Sequence, residues 1–134
     1  MPAPTIAIDT NILIDYFLER ENYAQAKNLI LSPAIGESVL YISQLVILEF
    51  EWMLKGFYKV EKSTIIHRIN LIMEIPNCEI GDRQLLTSAL GLYGNESGIS
   101  LDDCIIVLEA IDNKCADFVT SDKKLSRLYK KLKK

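Results

Sequence analysis

The chain has 134 residues, 49% of them hydrophobic and 25% charged, which fits one ordinary globular domain spanning residues 1–134 and excludes a disordered chain. The net charge is −3, yet residues 123–134 hold seven Lys/Arg and no acid, which leaves −10 on residues 1–122. No apolar run approaches the roughly 18–20 residues a membrane helix needs, and no basic-then-apolar leader opens the sequence, so a cytoplasmic, non-membrane protein is the expectation.

Thr5-Ile6-Ala7-Ile8, a β-branched run after two prolines, predicts a buried first strand, and Asp9-Thr10-Asn11 offer caps for a compact helix through Leu18. Asn22 opens a second helix that ends before Ser32-Pro33 and Gly36. Ser38 to Ile42 predicts a second strand, and Ser43 opens a helix to about Lys55, closed by Gly56. A further helix runs from about Ser63 to Glu74, followed by a short strand, Cys78-Glu79-Ile80. Asp82 caps a helix through about Leu92, and Gly91, Gly94, Asn95, Ser97 and Gly98 mark a loop. Ser100 or Asp102 begins a helix from Cys104 to Asn113, Asp117 to Thr120 predicts a last strand, and Ser121-Asp122 cap a final helix. Short strands alternating with helices imply an α/β fold with a mostly parallel sheet, whose ligands gather at the carboxyl ends of strands.

Four acids stand out against that frame. Asp9 and Asp122 each follow a predicted strand, although both also suit a helix cap. At about 100° per residue, Glu49 shares a face with Leu45, Trp52 and Met53, the side expected to point inward, while Glu51 falls opposite with Leu48 and Lys55. Asp103 lines up with Val107 and Ala110 on an apolar face, whereas Asp102 belongs to a polar stripe and is the expected cap. Converging carboxylates repel one another without a cation, and hard oxygen donors of this kind suit Mg²⁺ or Mn²⁺. Cys78, Cys104 and Cys115 form neither a disulfide framework nor a zinc pattern, and the lone His67 has no partner in sequence.

The segments Ile8 to Leu13, Ile42-Ser43 through Glu49, Gly98 to Ile106 and Val119 to Asp122, in this order, resemble a PIN domain, and within that superfamily the short VapC toxins of prokaryotic toxin–antitoxin pairs. The resemblance implies a three-layer α/β/α sandwich and a Mg²⁺- or Mn²⁺-dependent endoribonuclease. It matches Asp9, Glu49 and Asp103 to core metal ligands, Asp122 to a variable fourth acid, and Asn11, Ser43 and Thr120 to supporting polar positions. It further implies phosphodiester hydrolysis leaving 5′-phosphate and 3′-hydroxyl ends, a homodimer, and a small antitoxin partner. Lys55, Lys59, Lys62, Lys123, Lys124 and the remaining C-terminal lysines are candidates for RNA phosphate contacts. The alternatives are a PIN nuclease of RNA processing and a non-catalytic RNA-binding or assembly module. A phosphoacceptor receiver domain fits poorly, because the first strand ends in one acid rather than two; so does an aspartate-nucleophile phosphatase, because Asn11 stands where a second Asp is needed.

Overall fold

The computed structural model describes residues 2–133, so Lys134 lies outside the described residues. The chain divides into two compact units, Met1–Asp82 and Arg83–Lys134. In the first, β1 (Thr5–Ala7), β2 (Val39–Ile42) and β3 (Cys78–Ile80) form a parallel sheet in the order β1-β2-β3. The registers Ile6↔Leu40 and Tyr41↔Glu79 leave β2 in the centre, and β1, expected to be buried, instead has Thr5 and Ala7 exposed and Ile6 half-buried, because it pairs with β2 along one edge only. Parallel neighbours need long crossovers. Here α1 (Thr10–Phe17) and α2 (Tyr23–Leu31) connect β1 to β2, and α3 (Gln44–Trp52) and α4 (Lys62–Met73) connect β2 to β3. The fold is α/β, with the parallel sheet that the alternating pattern predicts.

Each helix of this unit turns a spaced apolar set inward: Leu13 and Ile14 on α1, Ala26 and Ile30 on α2, Ile65, Ile69 and Ile72 on α4. After α2 a single 3-10 turn, Ser32–Ile35, ends on Gly36 at φ 78, a left-handed conformation that glycine adopts without a Cβ clash.

The inward face of α3 differs from expectation. Ile47, Phe50 and Glu51 are buried, with Leu54 in the π-helical turn Met53–Phe57 that continues the helix past the expected end. Leu45 and Trp52 are 74% and 70% exposed, and Glu49 lies with them on the exposed face. The two glutamates thus exchange the places that periodicity suggested. Apolar residues surround the whole helix, so spacing alone selects no side. Packing decides, with the Phe50 ring 5.5 Å from that of Phe17, and Glu51 is carried inward as the i+4 neighbour of Ile47.

The second unit is helical: α5 (Arg83–Asn95), α6 (Leu101–Asp112) and α7 (Lys123–Lys133), with α6 packing on both others. Gly91 and Gly94, expected in a loop, lie within α5, because the fully buried Tyr93 anchors its last turn. Tertiary burial overrides weak local propensity there.

Asp117 to Thr120 forms no strand. Local bonds take its place: the Phe118 N–H donates to Asp117 Oδ1 at 2.8 Å and the Asp122 N–H to Thr120 Oγ1 at 3.1 Å. Side-chain acceptors of this type compete with a ladder for backbone donors. Phe118 stacks on Tyr129, centroids 5.4 Å apart, and Val119 is 91% exposed.

Phe50→Ala is expected to lower unfolding free energy by about 3–5 kcal/mol, the usual cost of deleting a fully buried aromatic ring. Val119→Thr should change it by less than about 0.5 kcal/mol. Urea denaturation of both variants checks the contrast.

Candidate active site

Asp9 is delivered by the sheet. Beyond β1, Ile8 N–H still donates to Tyr41 O at 3.3 Å, which prolongs the pairing by one residue and sets Asp9 at the carboxyl end of the strand. Asp9 is extended (φ −101, ψ −178) and caps α1, its Oδ1 accepting from Ile12 N–H at 3.3 Å. A negative carboxylate is favourable at that helix end. The side chain is exposed, and one hydrogen bond leaves acceptor capacity on the second oxygen.

Glu49 reaches the same first turn from α3. The hydroxyl of Thr10, a residue only 3% exposed, donates to Glu49 Oε1. Thr10 follows Asp9 directly, so the bond ties Glu49 to the residue beside the N-cap. This positioning role was not legible in the sequence, where Thr10 counted only as a cap; its place between a strand-end acid and an apolar helix was the available signal. Ser43 follows β2 and caps α3, accepting from Leu45 N–H at 3.2 Å. Asn11 is exposed.

The acids of the second unit sit at two helix starts. Ser100 caps α6, accepting from Asp103 N–H at 3.4 Å, so the cap is Ser100 and not Asp102. A serine oxygen reaches the third helical N–H from the cap position, whereas Asp102 already lies inside the first turn. There Asp103 is half-buried and Asp102 exposed. Asp122 is an exposed cap of α7, its Oδ1 accepting from Lys124 N–H at 2.9 Å and Leu125 N–H at 3.1 Å. Thr120 supports it by accepting from Asp122 N–H.

Exposed carboxylate oxygens on Asp9 and Glu49, each carboxylate oriented by one hydrogen bond, are the hard donors that Mg²⁺ and Mn²⁺ prefer. Among the described residues, no three or more His, Cys, Asp or Glu are grouped closely enough to hold a metal ion. The hydrogen bond from Thr10 brings Glu49 to the residue beside Asp9 in the first unit, while Asp103 and Asp122 stand at the starts of α6 and α7 in the second.

The basic candidates differ in their commitments. Lys55, Lys59, Lys123 and Lys124 are exposed. Lys133 Nζ, by contrast, donates to Cys115 O at 3.2 Å and Ala116 O at 2.7 Å, so it serves the loop before α7.

Residues 6–131 match the family model described as PIN domain, a span covering nearly the whole chain. No curated protein matches the sequence.

Thr10→Val removes the donor to Glu49 without changing side-chain shape, and is expected to destabilise the fold by about 1–3 kcal/mol in urea denaturation. Asp9→Ala should cost about 1 kcal/mol through the lost cap, whereas Asp9→Asn, an equally good cap, should cost almost nothing. Comparison of the two melting curves checks this.

Proposed function

The chain belongs to the PIN-domain family, and from that premise we propose that residues 1–134 form one PIN domain acting as a metal-dependent endoribonuclease. Proteins of this family are generally nucleases that use divalent metals. The observation that carries the reading is the hydrogen bond from Thr10 to Glu49, which draws a second carboxylate toward Asp9 at the carboxyl end of the parallel sheet. Ligand sites of α/β proteins favour that edge.

In this reading Asp9, Glu49 and Asp103 hold Mg²⁺ or Mn²⁺, and Asp122 is the fourth acid. A bound divalent cation would offset the charge that builds on a phosphodiester during hydrolysis. The protein's own part is orientation. Ile12 N–H and the Thr10 hydroxyl each hold one oxygen of a carboxylate, Ser100 fixes the first turn that carries Asp103, and Thr120 fixes the backbone of Asp122. Ser43 acts through α3, whose start it caps, and Asn11 is an exposed polar neighbour of the cap. Lys55, Lys59, Lys123 and Lys124 supply positive charge for the RNA backbone.

The biological role we propose is that of a VapC-like toxin: a cytoplasmic homodimer whose active cleft is blocked by a small antitoxin. The family match supports the nuclease part of this reading. No helix among the described residues is long and apolar enough to cross a membrane.

Asp9→Asn, Glu49→Gln and Asp103→Asn are each expected to reduce cleavage of RNA in Mg²⁺ to the level of wild-type protein in EDTA, with circular dichroism unchanged; Asp122→Asn should be milder. Full cleavage by Asp9→Asn and Glu49→Gln would reject the assignment of these acids, and a wild type that binds RNA but does not cleave it in Mg²⁺ or Mn²⁺ would leave a non-catalytic RNA-binding module. Expression of the wild-type chain alone should arrest bacterial growth, while Asp9→Asn should not. Normal growth with active enzyme present would favour a role in RNA processing.

A further inference from the structure

A concave feature lies wholly within the second unit, and none of the four acids lines it. It is a cavity of about 250 Å³ between α7 and the loop after α5, lined by Lys124, Arg127 and Lys131 from the helix and by Glu96, Ser97 and Ile99 from the loop. The three cations occupy positions i, i+3 and i+7, so they share one face, while Leu125 and Tyr129 bury another. Lys131 is tied to Glu96 at 3.2 Å, and three cations against one carboxylate leave an excess of two positive charges. The Lys124 ammonium lies over Gly98, close enough that an added Cβ would have to displace this flexible end. Gly98 itself stands at φ 74, a backbone state that other residues rarely adopt.

We propose that this cavity is a phosphate-gripping subsite for the RNA backbone, lined by none of the four acids assigned to cleavage. The identity of the polyanion rests on the nuclease reading; the pocket's preference for phosphate does not. Four charged side chains and one hydroxyl line it beside Ile99 and Leu128, a balance that favours a charged ligand over an apolar one. The guanidinium of Arg127 offers a planar fork matched to phosphate oxygens, with Lys124 as a mobile point charge and Ser97 as a neutral donor. Cations on successive turns stand about 5.4 Å apart along the axis, a spacing that follows a strand with one charge every few ångströms rather than a single small anion. The sequence carries no acid after Asp122 to interrupt that strip.

The test is binding of a fluorescein-labelled 12-nucleotide RNA of mixed sequence, read by anisotropy in EDTA over a salt series, so that cleavage plays no part. Lys124→Gln/Arg127→Gln is expected to weaken binding roughly 10- to 30-fold at 0.1 M salt and to flatten the log–log salt slope by about 1.4, the loss of two single-strand phosphate contacts. Glu96→Gln, which removes the one negative wall, should tighten binding, an opposite sign that damaged folding would not produce. Lys130→Gln removes a charge from the same helix outside the cavity and should change affinity less than about twofold. Equal effects of Arg127→Gln and Lys130→Gln, or displacement of the RNA by poly-L-glutamate at matched charge, would overturn the subsite in favour of a diffuse field or an acidic protein partner. Because binding is read without metal, a wild type that binds in this pattern yet cleaves no RNA when Mg²⁺ or Mn²⁺ is supplied would refute the nuclease reading while sustaining the subsite.

Discussion

The parallel pairing of β1 with β2 is the constraint on which the candidate site depends. A short strand of three residues has little independent stability, and here it is held by Val39 N–H to Pro4 O at one end and Ile8 N–H to Tyr41 O at the other. The second of these bonds fixes where the strand stops. Asp9 leaves the sheet there, caps α1, and brings Thr10 into a buried position from which it can address α3. A slip of one residue would reverse every side chain on the strand and send Asp9 to the other face. The carboxylate geometry is thus set by backbone register before any side chain contributes.

Helix capping is the second device, and it recurs at Asp9, Ser43, Ser100 and Asp122. Each lies next to or among the acids, and each fixes a helix start through side-chain oxygen. A capping carboxylate spends one oxygen on the helix and keeps acceptor capacity on the other. Structural and chemical roles therefore coexist in one residue, which explains why a cap pattern and a metal-ligand pattern were indistinguishable in the sequence at Asp9 and Asp122.

What the sequence revealed follows from how local each determinant is. β1 and the Asp9 cap were legible because two prolines, a β-branched run and a cap residue act within ten positions. The parallel α/β class was legible from alternation alone. The inward face of α3 was not: with apolar residues on every side, the choice between Glu49 and Glu51 is made by Phe50 against Phe17, a contact across more than thirty residues. The stretch Asp117 to Thr120 has strand composition, but its own Asp and Thr oxygens capture the donors that a ladder would use. Thr10 was misjudged for a related reason, since its partner Glu49 lies 39 residues away.

Charge segregation joins these features into one physical logic. The first 122 residues carry −10 and the last twelve +7, so a polyanion meets repulsion from most of the surface and attraction at one helix. In the proposed nuclease the carboxylates that act on a phosphodiester would face the same difficulty at close range, and a divalent cation would relieve it only locally. The cavity beside α7 offers cations with none of the four acids in its lining, although Asp122 caps the same helix and accepts from Lys124 N–H. Lysine side chains placed among metal-binding carboxylates would compete for the same oxygens. A helix face that presents only cations avoids that competition, which would give the lysine-rich α7 of the proposed nuclease a reason beyond the favourable interaction of its cations with the helix dipole.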